Sequence, residues 1–261
     1  MPHRQEWEAA ERRRSVVEAS LTCPSWLKAS LVEIDRYRHA RVDTAFPLEY
    51  AYALLGDVRG RSVLDFGCGS GENTVLLASQ GARVIGLDIS APLIELARQR
   101  LAVNGLAGTT AFVVGSGHDV PIADTSIDVV FGIAILHHLD LAVAAQEVHR
   151  VLKPGGRAIF QEPVRDSRLV RAIRACIPYQ APDVSPFERP LTTADLDAFG
   201  KPFVRSHMRP FALPFVLAAH TVHRLRRYLP QAYRSDAGIL RRVPQLTRFA
   251  GIRVAEFVKE G

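Results

Sequence analysis

The sequence has no long apolar run and few cysteines. Its longest apolar stretch, residues 211–219 with one proline included, is far shorter than the roughly 20 residues that a membrane-spanning helix needs. The first 20 residues are charged and have no apolar core, so we expect no secretory signal. Cys23, Cys68 and Cys176 are widely spaced and odd in number, which argues against a disulfide framework or a zinc site. These absences favour a cytoplasmic protein with no metal.

The composition is that of a globular chain of enzyme size. The 261 residues are 48% hydrophobic and 23% charged, which is ordinary for a folded protein. This length suits one large α/β domain with additions, or two small domains. No internal repeat or low-complexity tract is present.

Positive charge is concentrated at the end of the chain. Residues 201–261 contain 12 Lys and Arg against 3 Asp and Glu, a balance of +9, whereas residues 1–200 have a balance of −3. This asymmetry suggests an anionic partner, such as a phospholipid headgroup, a phosphorylated substrate or nucleic acid. A solvated helical face explains it equally simply.

A glycine-rich segment lies between two apolar runs that each end in an acid. The first run, from Val63, ends at Asp65, and glycines follow at positions 67, 69 and 71; the second run ends at Asp88, 23 positions after the first acid. This order predicts a strand, a tight loop, a helix and a second strand, with a ligand at the carboxyl ends of the strands. Glycine lets the backbone approach that ligand, and Asp88 is placed to accept from the hydroxyls of a ribose.

The charges near this loop favour one cofactor over another. A dinucleotide-binding loop has the pattern Gly-x-Gly-x-x-Gly, but here the spacing is Gly-x-Gly-x-Gly. Asp65, two residues before the first glycine, would repel a pyrophosphate but suit an ammonium group. S-adenosylmethionine carries an ammonium and a sulfonium, so it is favoured over NAD. The simpler alternative is a tight turn between strand and helix with no ligand.

The rest of the chain alternates strands with helices, as in a parallel sheet covered on both faces. The predicted strands lie at about 62–66, 83–87, 111–115, 127–132 and 157–162, with two more at 203–208 and, as an antiparallel edge, 252–258. The predicted helices include about 6–20, one from 24 through 34, 48–55, 72–80, 91–103, 141–152 and 167–176, with a proline-rich excursion at 178–190. We divide the chain into an N-terminal helical lid (1–56), a nucleotide-binding core (57–163) and a C-terminal part (164–261) with a helical substrate cap at about 211–250.

Polar side chains at the ends of the later strands complete the candidate site. Ser116 and Gly117 follow the third strand, where they could contact an adenine edge. His137 and His138 follow the fourth strand, just before Asp140, a predicted N-cap. Either histidine could act as a general base. Since adjacent side chains do not readily face one point, we expect one of them to be structural. We favour His138 as the base because it lies nearer the expected helix start at Asp140, and a structural role stays open for both.

In combination these motifs resemble the class I S-adenosylmethionine-dependent methyltransferases, specifically the small-molecule group called methyltransferase type 11. The motifs that carry the resemblance lie at residues 63–71, 86–90, 120–121, 131, 136–139 and 152–156. The resemblance implies a Rossmann-like seven-stranded, mostly parallel sheet with an antiparallel last strand. The cofactor-binding positions that the motifs and the resemblance indicate are Asp65, Gly67, Cys68, Gly69, Asp88, Ile89, Ser116, Gly117 and Ile133. One departure is Ser116, where family members usually carry an acid that accepts from the adenine amino group.

The sequence therefore predicts methyl transfer from S-adenosylmethionine to a small, largely apolar acceptor, by O-, N- or C-methylation. A lipid-like or anionic acceptor and a peripheral membrane contact both remain open. Two alternatives are a non-catalytic S-adenosylmethionine-binding protein and, less favoured, a nucleic-acid methyltransferase.

Overall fold

The computed structural model describes residues 2–167, 191–221 and 223–261. The strands are β1 Ser62–Phe66, β2 Arg83–Asp88, β3 Thr110–Val114, β4 Ile127–Ile133, β5 Leu152–Pro163, β6 Arg205–Phe211 and β7 Ile252–Val258. The helices are α1 Pro2–Leu21, α2 Leu31–Arg38, α3 Pro47–Leu55, α4 Glu72–Ser79, α5 Ala91–Val103, α6 Leu141–Val151, α7 Thr193–Phe199, α8 Pro214–Thr221 and α9 Leu229–Arg242. Short 3-10 turns lie at Pro24–Leu27, Leu136–His138, His223–Tyr228 and Pro244–Phe249. The predicted helix at 167–176, the excursion at 178–190 and Cys176 fall almost wholly outside the described residues.

All seven strands form one sheet in the order β3-β2-β1-β4-β5-β7-β6. The pairs from β3 to β5 are parallel, and β7 is antiparallel to both β5 and β6. The predicted fold class, a Rossmann-like and mostly parallel seven-stranded sheet, is confirmed. The expected edge position of the last strand is wrong. β7 lies inside the sheet because its buried Val254, Ala255 and Phe257 suit a strand covered on both faces, and β6 forms the edge.

Alternating side chains of the strands build an apolar core on each face of the sheet. On β1, Val63 faces a cluster with α3, α4 and α5, whereas Leu64 faces a cluster with α6 and α7. Both side chains are fully buried. Because a strand alternates its side chains between two faces, a strand that buries both must be covered by helices on each side. This arrangement leaves the strand ends as the accessible part of the sheet.

Several boundaries differ from those predicted. The single helix expected from residue 24 through 34 is instead the turn Pro24–Leu27 followed by α2. β5 begins at Leu152 rather than near 157, with a register irregularity beside β4, and β6 begins and ends later than expected. α7 begins at a reciprocal capping box, in which the hydroxyl of Thr192 accepts from the amide of Asp195 and the carboxylate of Asp195 accepts from the amide of Thr192.

The C-terminal segment 211–250 is largely helical and connects β6 to β7. Phe211, its first residue, pairs with Ile252, the first residue of β7, beside Pro163 at the end of β5. The segment therefore leaves and rejoins the sheet at the carboxyl edge of the parallel strands. A small apolar cluster of Ala212, Val216 and Ala232 holds α8 against α9. Within the described ranges, no helix combines the length and apolarity required to cross a membrane.

Candidate active site

Three glycines shape the loop between β1 and α4, and all have positive φ: +77° at Gly67, +51° at Gly69 and +82° at Gly71. A Cβ at Gly67 would lie 2.6 Å from the side chain of Ile135, and one at Gly71 would lie 2.9 Å from the Cβ of Ala97. A Cβ at Gly69 would have no neighbour within 4 Å. The first and third glycines thus permit close packing, whereas the middle one leaves the backbone open to a ligand.

Asp88, the last residue of β2, is held in place by the glycine loop. Its carboxylate accepts from the amide of Gly69 at 2.9 Å and from the amide of Ser90 at 2.9 Å. Burial raises the pKa of Asp88, and the two backbone hydrogen bonds oppose that rise. Each carboxylate oxygen still has lone-pair capacity after accepting one bond. Asp88 is therefore a hydrogen-bond acceptor with a fixed orientation at the carboxyl end of β2. This is the position at which the sequence predicts a ribose-binding acid.

Asp65 ends β1 but lies deeper than Asp88. Its side chain accepts a 2.5 Å hydrogen bond from the hydroxyl of Thr74 on α4. Burial raises the pKa of Asp65 to about 7; the Thr74 hydrogen bond lowers it and the Asp88 charge raises it further. Among the described residues, no cation contributes to the pKa of Asp65, and a positive ligand group would stabilise the carboxylate form of such a buried acid. This environment suits the ammonium that the sequence predicted.

A cavity of about 230 Å³ lies at the carboxyl ends of the strands. Of the predicted site residues, it is lined by Gly67, Gly69, Asp88, Ile89, Ser116, Gly117, Ile133 and His138. The side chains of Asp65 and Cys68 are buried beneath the loop and do not line it, and neither does His137. The binding roles proposed for these residues stay predictions. Most of the residues nevertheless line the same cavity.

The two predicted histidines have different surroundings. His137 is buried, and its Nδ1 lies 2.9 Å from Oε2 of Glu162. His138 lines the cavity, where its Nε2 lies 3.5 Å from a guanidinium nitrogen of Arg14. A guanidinium can only donate hydrogen bonds, so Nε2 of His138 faces it as an acceptor. His138 therefore lines the cavity beside Arg14, whereas His137 belongs to the protein interior.

The helix α1 forms the opposite wall of the cavity, and sequence reasoning did not identify its contributing residues. Those that line the cavity are Trp7, Glu8, Glu11, Arg14, Ser15 and Glu18. Glu11 lies 3.4 Å from Nδ1 of His138. The sequence shows a charged helix here, but no local signal indicates which side of it faces Ser116 and His138, each more than 100 positions away from its partner on the helix.

Ser116, just after β3, forms a hydrogen-bonded group with Glu8 and His118. Its hydroxyl donates a 2.6 Å hydrogen bond to Oε1 of Glu8 and accepts one from the amide of His118. Nδ1 of His118 lies 3.1 Å from the same Glu8 oxygen. His118 is buried and was not predicted as a site residue. The carboxylate of Glu8 thus lies beside Ser116, the position at which the resemblance leads us to expect an acid.

Three comparisons with known proteins agree with this geometry. Residues 64–160 match the sequence family described as a methyltransferase domain. An O-methyltransferase of Penicillium expansum is 33% identical over 143 residues, which cover 54% of this chain and 50% of that protein. A demethylmenaquinone methyltransferase of Symbiobacterium thermophilum is 37% identical over 117 residues, which cover 43% and 47%. The chain thus spans about half the length of these relatives.

The fold is similar to that of geranyl diphosphate C-methyltransferase from Streptomyces coelicolor, solved with Mg²⁺, geranyl diphosphate and S-adenosyl-L-homocysteine. The TM-score is 0.56 at 20% identity, over 79% of this chain and 77% of that one. The sequence match covers β1 to β5, the part that builds the glycine loop and the cavity. Residues 64–160 thus match the methyltransferase domain family in sequence, and the chain shares the fold of that C-methyltransferase.

Proposed function

We propose that this protein transfers a methyl group from S-adenosylmethionine to a small acceptor with a largely apolar body. The observation that carries the proposal is the single cavity in which the glycine loop, Asp88 and His138 meet. The names of the similar proteins support a small acceptor, since they include a demethylmenaquinone methyltransferase and an O-methyltransferase.

The residues present fit the cofactor. Gly69 offers backbone with open space where a side chain would project, and Asp88 is fixed by two amides with acceptor capacity left. Asp65, a buried acid that no cation of the described ranges neutralises, would hold the ammonium, and Asp88 the ribose. When bound, the cofactor supplies an electrophilic methyl carbon on a sulfonium.

The chain itself positions the acceptor and handles its proton. Methyl transfer is an in-line displacement, in which an acceptor atom attacks the methyl carbon and catalysis needs mainly positioning and exclusion of water. Residues of α1 line the cavity, so this helix would limit the contact of a bound acceptor with solvent. If the acceptor carries a proton, Nε2 of His138, held as an acceptor opposite Arg14, takes it. Displacement of the Arg14 guanidinium by the acceptor would free that nitrogen.

We further propose that the acceptor is lipid-like and that the segment 211–250 encloses it. The segment starts and ends at the carboxyl edge of the sheet, the edge at which the cavity lies. Its helices use Val216 and Ala232 to contact each other, as expected of a packed lid. The alternative, contact with an anionic membrane, is suggested by the basic charge of the last 61 residues.

The test is a transfer assay with S-adenosylmethionine labelled on the methyl group. The acceptors are a hydroquinone with an isoprenoid chain, a simple phenol, an isoprenoid diphosphate, and RNA and DNA as a separate class. We expect label in at least one small apolar acceptor and none in nucleic acid. Cofactor binding with no transfer to any acceptor would favour the non-catalytic alternative, and label only in RNA or DNA would favour a nucleic-acid methyltransferase.

A further inference from the structure

The cavity wall beside β3 is built by three residues from two distant parts of the chain. Ser116 and His118 follow β3, and Glu8 reaches them from α1. Glu8 is only 15% exposed at its side chain, and His118 only 1%. Both Ser116 and Glu8 line the cavity. This wall is therefore polar, preorganised and turned toward the ligand space.

The hydrogen bonds define the proton positions in this wall. The backbone amide of Asp140 can only donate, and it lies 2.8 Å from Nε2 of His118. Nε2 is therefore the acceptor nitrogen of a neutral ring, and Nδ1 carries the proton that points to Oε1 of Glu8. Ser116 uses its one proton on the same oxygen. Two neutral donors thus hold the Glu8 carboxylate in one orientation.

The same bonds limit what Ser116 can do for a ligand. Its proton is used on Glu8, and one of its lone pairs accepts from the amide of His118. A carboxylate is a stronger acceptor than a hydroxyl. Burial raises the pKa of Glu8, but the hydrogen bonds from Ser116 and His118, together with the charge of Arg12, outweigh burial and lower the pKa overall. At neutral pH Glu8 is ionised, so this wall accepts hydrogen bonds much better than it donates them.

The position of the wall relative to Asp88 indicates which part of a ligand it meets. Asp88 pairs with Val114, the last residue of β3, so Glu8 lies one strand further along the sheet than the ribose acceptor. With Asp88 on the ribose, as the proposed function has it, the base attached to that ribose extends toward β3. An ionised carboxylate attracts an amino group and repels a carbonyl oxygen.

We propose that Glu8, on the N-terminal helix, is the residue that selects the base of the cofactor, by accepting a hydrogen bond from the exocyclic amino group of adenine. Ser116 and His118 are positioning residues that orient the Glu8 carboxylate. The N-terminal helix is then part of the cofactor site, in addition to any lid role toward the acceptor. This inference rests on the proposed cofactor.

The experiment compares two ligands that differ only at the base. S-adenosylhomocysteine has an amino group at position 6 of the purine, whereas S-inosylhomocysteine has a carbonyl oxygen there. Titration calorimetry on the full chain should show the adenine ligand bound at least about 10-fold more tightly, the scale of a hydrogen bond to a charged group. In Glu8→Gln this preference should fall below about 3-fold, because an amide can donate to the carbonyl as readily as it accepts from the amino group.

Two further variants make the result specific. Glu6→Gln removes the same charge from the same helix at an exposed position outside the cavity lining, and it should keep the wild-type preference. Glu8→Gln combined with Ser116→Asp returns a carboxylate to the wall and should recover the preference at least in part. Circular dichroism of each variant verifies that α1 and the sheet are retained.

An unchanged preference in Glu8→Gln would overturn the inference while leaving the cofactor assignment intact. So would an equal loss in Glu6→Gln, since the effect would then come from net charge alone. Failure of the double variant to recover any preference would also contradict it. If the wild-type protein binds neither ligand, the proposed function itself fails, and the inference fails with it.

Discussion

Nδ1 of His137 and Oε2 of Glu162 lie 2.9 Å apart in the interior of the protein. The other carboxylate oxygen of Glu162 accepts from the amides of Ile135 at 2.8 Å and Leu136 at 2.7 Å. One fully buried acid on β5 thus fixes the loop that follows β4. In that loop Ala134 has a φ of +56°, and His138 is aimed at the cavity.

Replacement of Glu162 should therefore destabilise the fold. Glu162→Ala leaves two amides and a histidine without their acceptor, and unsatisfied buried groups cost about 1–3 kcal/mol each. We expect the free energy of unfolding to fall by about 3 kcal/mol, measured by urea denaturation. Glu95→Ala, an exposed change on α5, should alter it by less than about 0.5 kcal/mol. Equal effects of the two variants would show that the Glu162 network does not stabilise the loop.

His138 should matter for turnover and not for cofactor binding. His138→Ala removes the nitrogen that faces the cavity, so kcat should fall about 100-fold or more for an acceptor that loses a proton. The dissociation constant of S-adenosylhomocysteine should stay within about threefold of wild type.

The matched variant is His137→Ala. We expect it to lower the melting temperature, because it breaks the contact with Glu162, and to lower kcat less than His138→Ala does. Equal kcat in the two variants would indicate that transfer depends on proximity alone, with no general base.

Cofactor binding should depend on pH through Asp65. Its pKa is raised from the usual 3.8 to about 7 by burial, with Thr74 opposing and Asp88 adding to the rise. In the free protein Asp65 is protonated below pH 7, whereas an ammonium ligand requires the carboxylate. The affinity for S-adenosylhomocysteine should fall by about tenfold per pH unit below pH 7. Calorimetry at pH 6 in buffers of different ionisation enthalpy should detect release of about one proton.

The stability of the free protein should fall as the pH rises, whereas the affinity for S-adenosylhomocysteine should rise. A raised carboxyl pKa contributes stability that is full below the unfolded value and is lost as pH rises through about 7. The free protein should thus lose stability through this group as the pH rises from about 4 to about 7, with no further loss above pH 7. Asp65→Asn should remove both pH dependences. If wild type and Asp65→Asn show the same pH dependence of binding, Asp65 does not hold the ammonium.

The segment 211–250 should act as a substrate lid and not as a membrane anchor. Arg224, Arg226 and Arg227 lie together at one end of the α8 region, whereas a helix that lies on a membrane carries its basic residues along its length. In co-sedimentation with vesicles of 0 to 40% anionic lipid at low salt, we expect no binding. Binding that rises with anionic lipid, falls with salt and is lost in Arg226→Gln with Arg227→Gln would overturn the lid assignment.

Sequence reasoning succeeded where the determinants are local. Asp65, the glycines from Gly67 to Gly71 and Asp88 lie within 24 residues, and each has a conformational or charge requirement that can be read from its neighbours. The N-cap at Asp140 was also predictable, since its side chain accepts from the amides of Ala142 and Val143 two and three residues later.

The parts that were missed depend on contacts distant in the chain. Glu8 meets Ser116 across 108 positions, and Arg14 meets His138 across 124. No periodicity within α1 specifies which of its charged residues face the sheet. The inner position of β7 was missed for a similar reason, because strand order depends on pairing between β5, β6 and β7 and not on the pattern of any one strand.

The most direct test of the account is calorimetric titration of S-adenosylhomocysteine into wild type, Asp88→Ala and the exposed control Asp197→Ala. We predict saturable binding to wild type and the control, with one ligand per chain. Binding to Asp88→Ala should be weaker by about 1.5–3 kcal/mol, or roughly 10- to 150-fold, the scale for losing hydrogen bonds to a charged group. No binding to the wild-type protein, or equal binding to all three, would contradict the assignment of the cavity as the cofactor site.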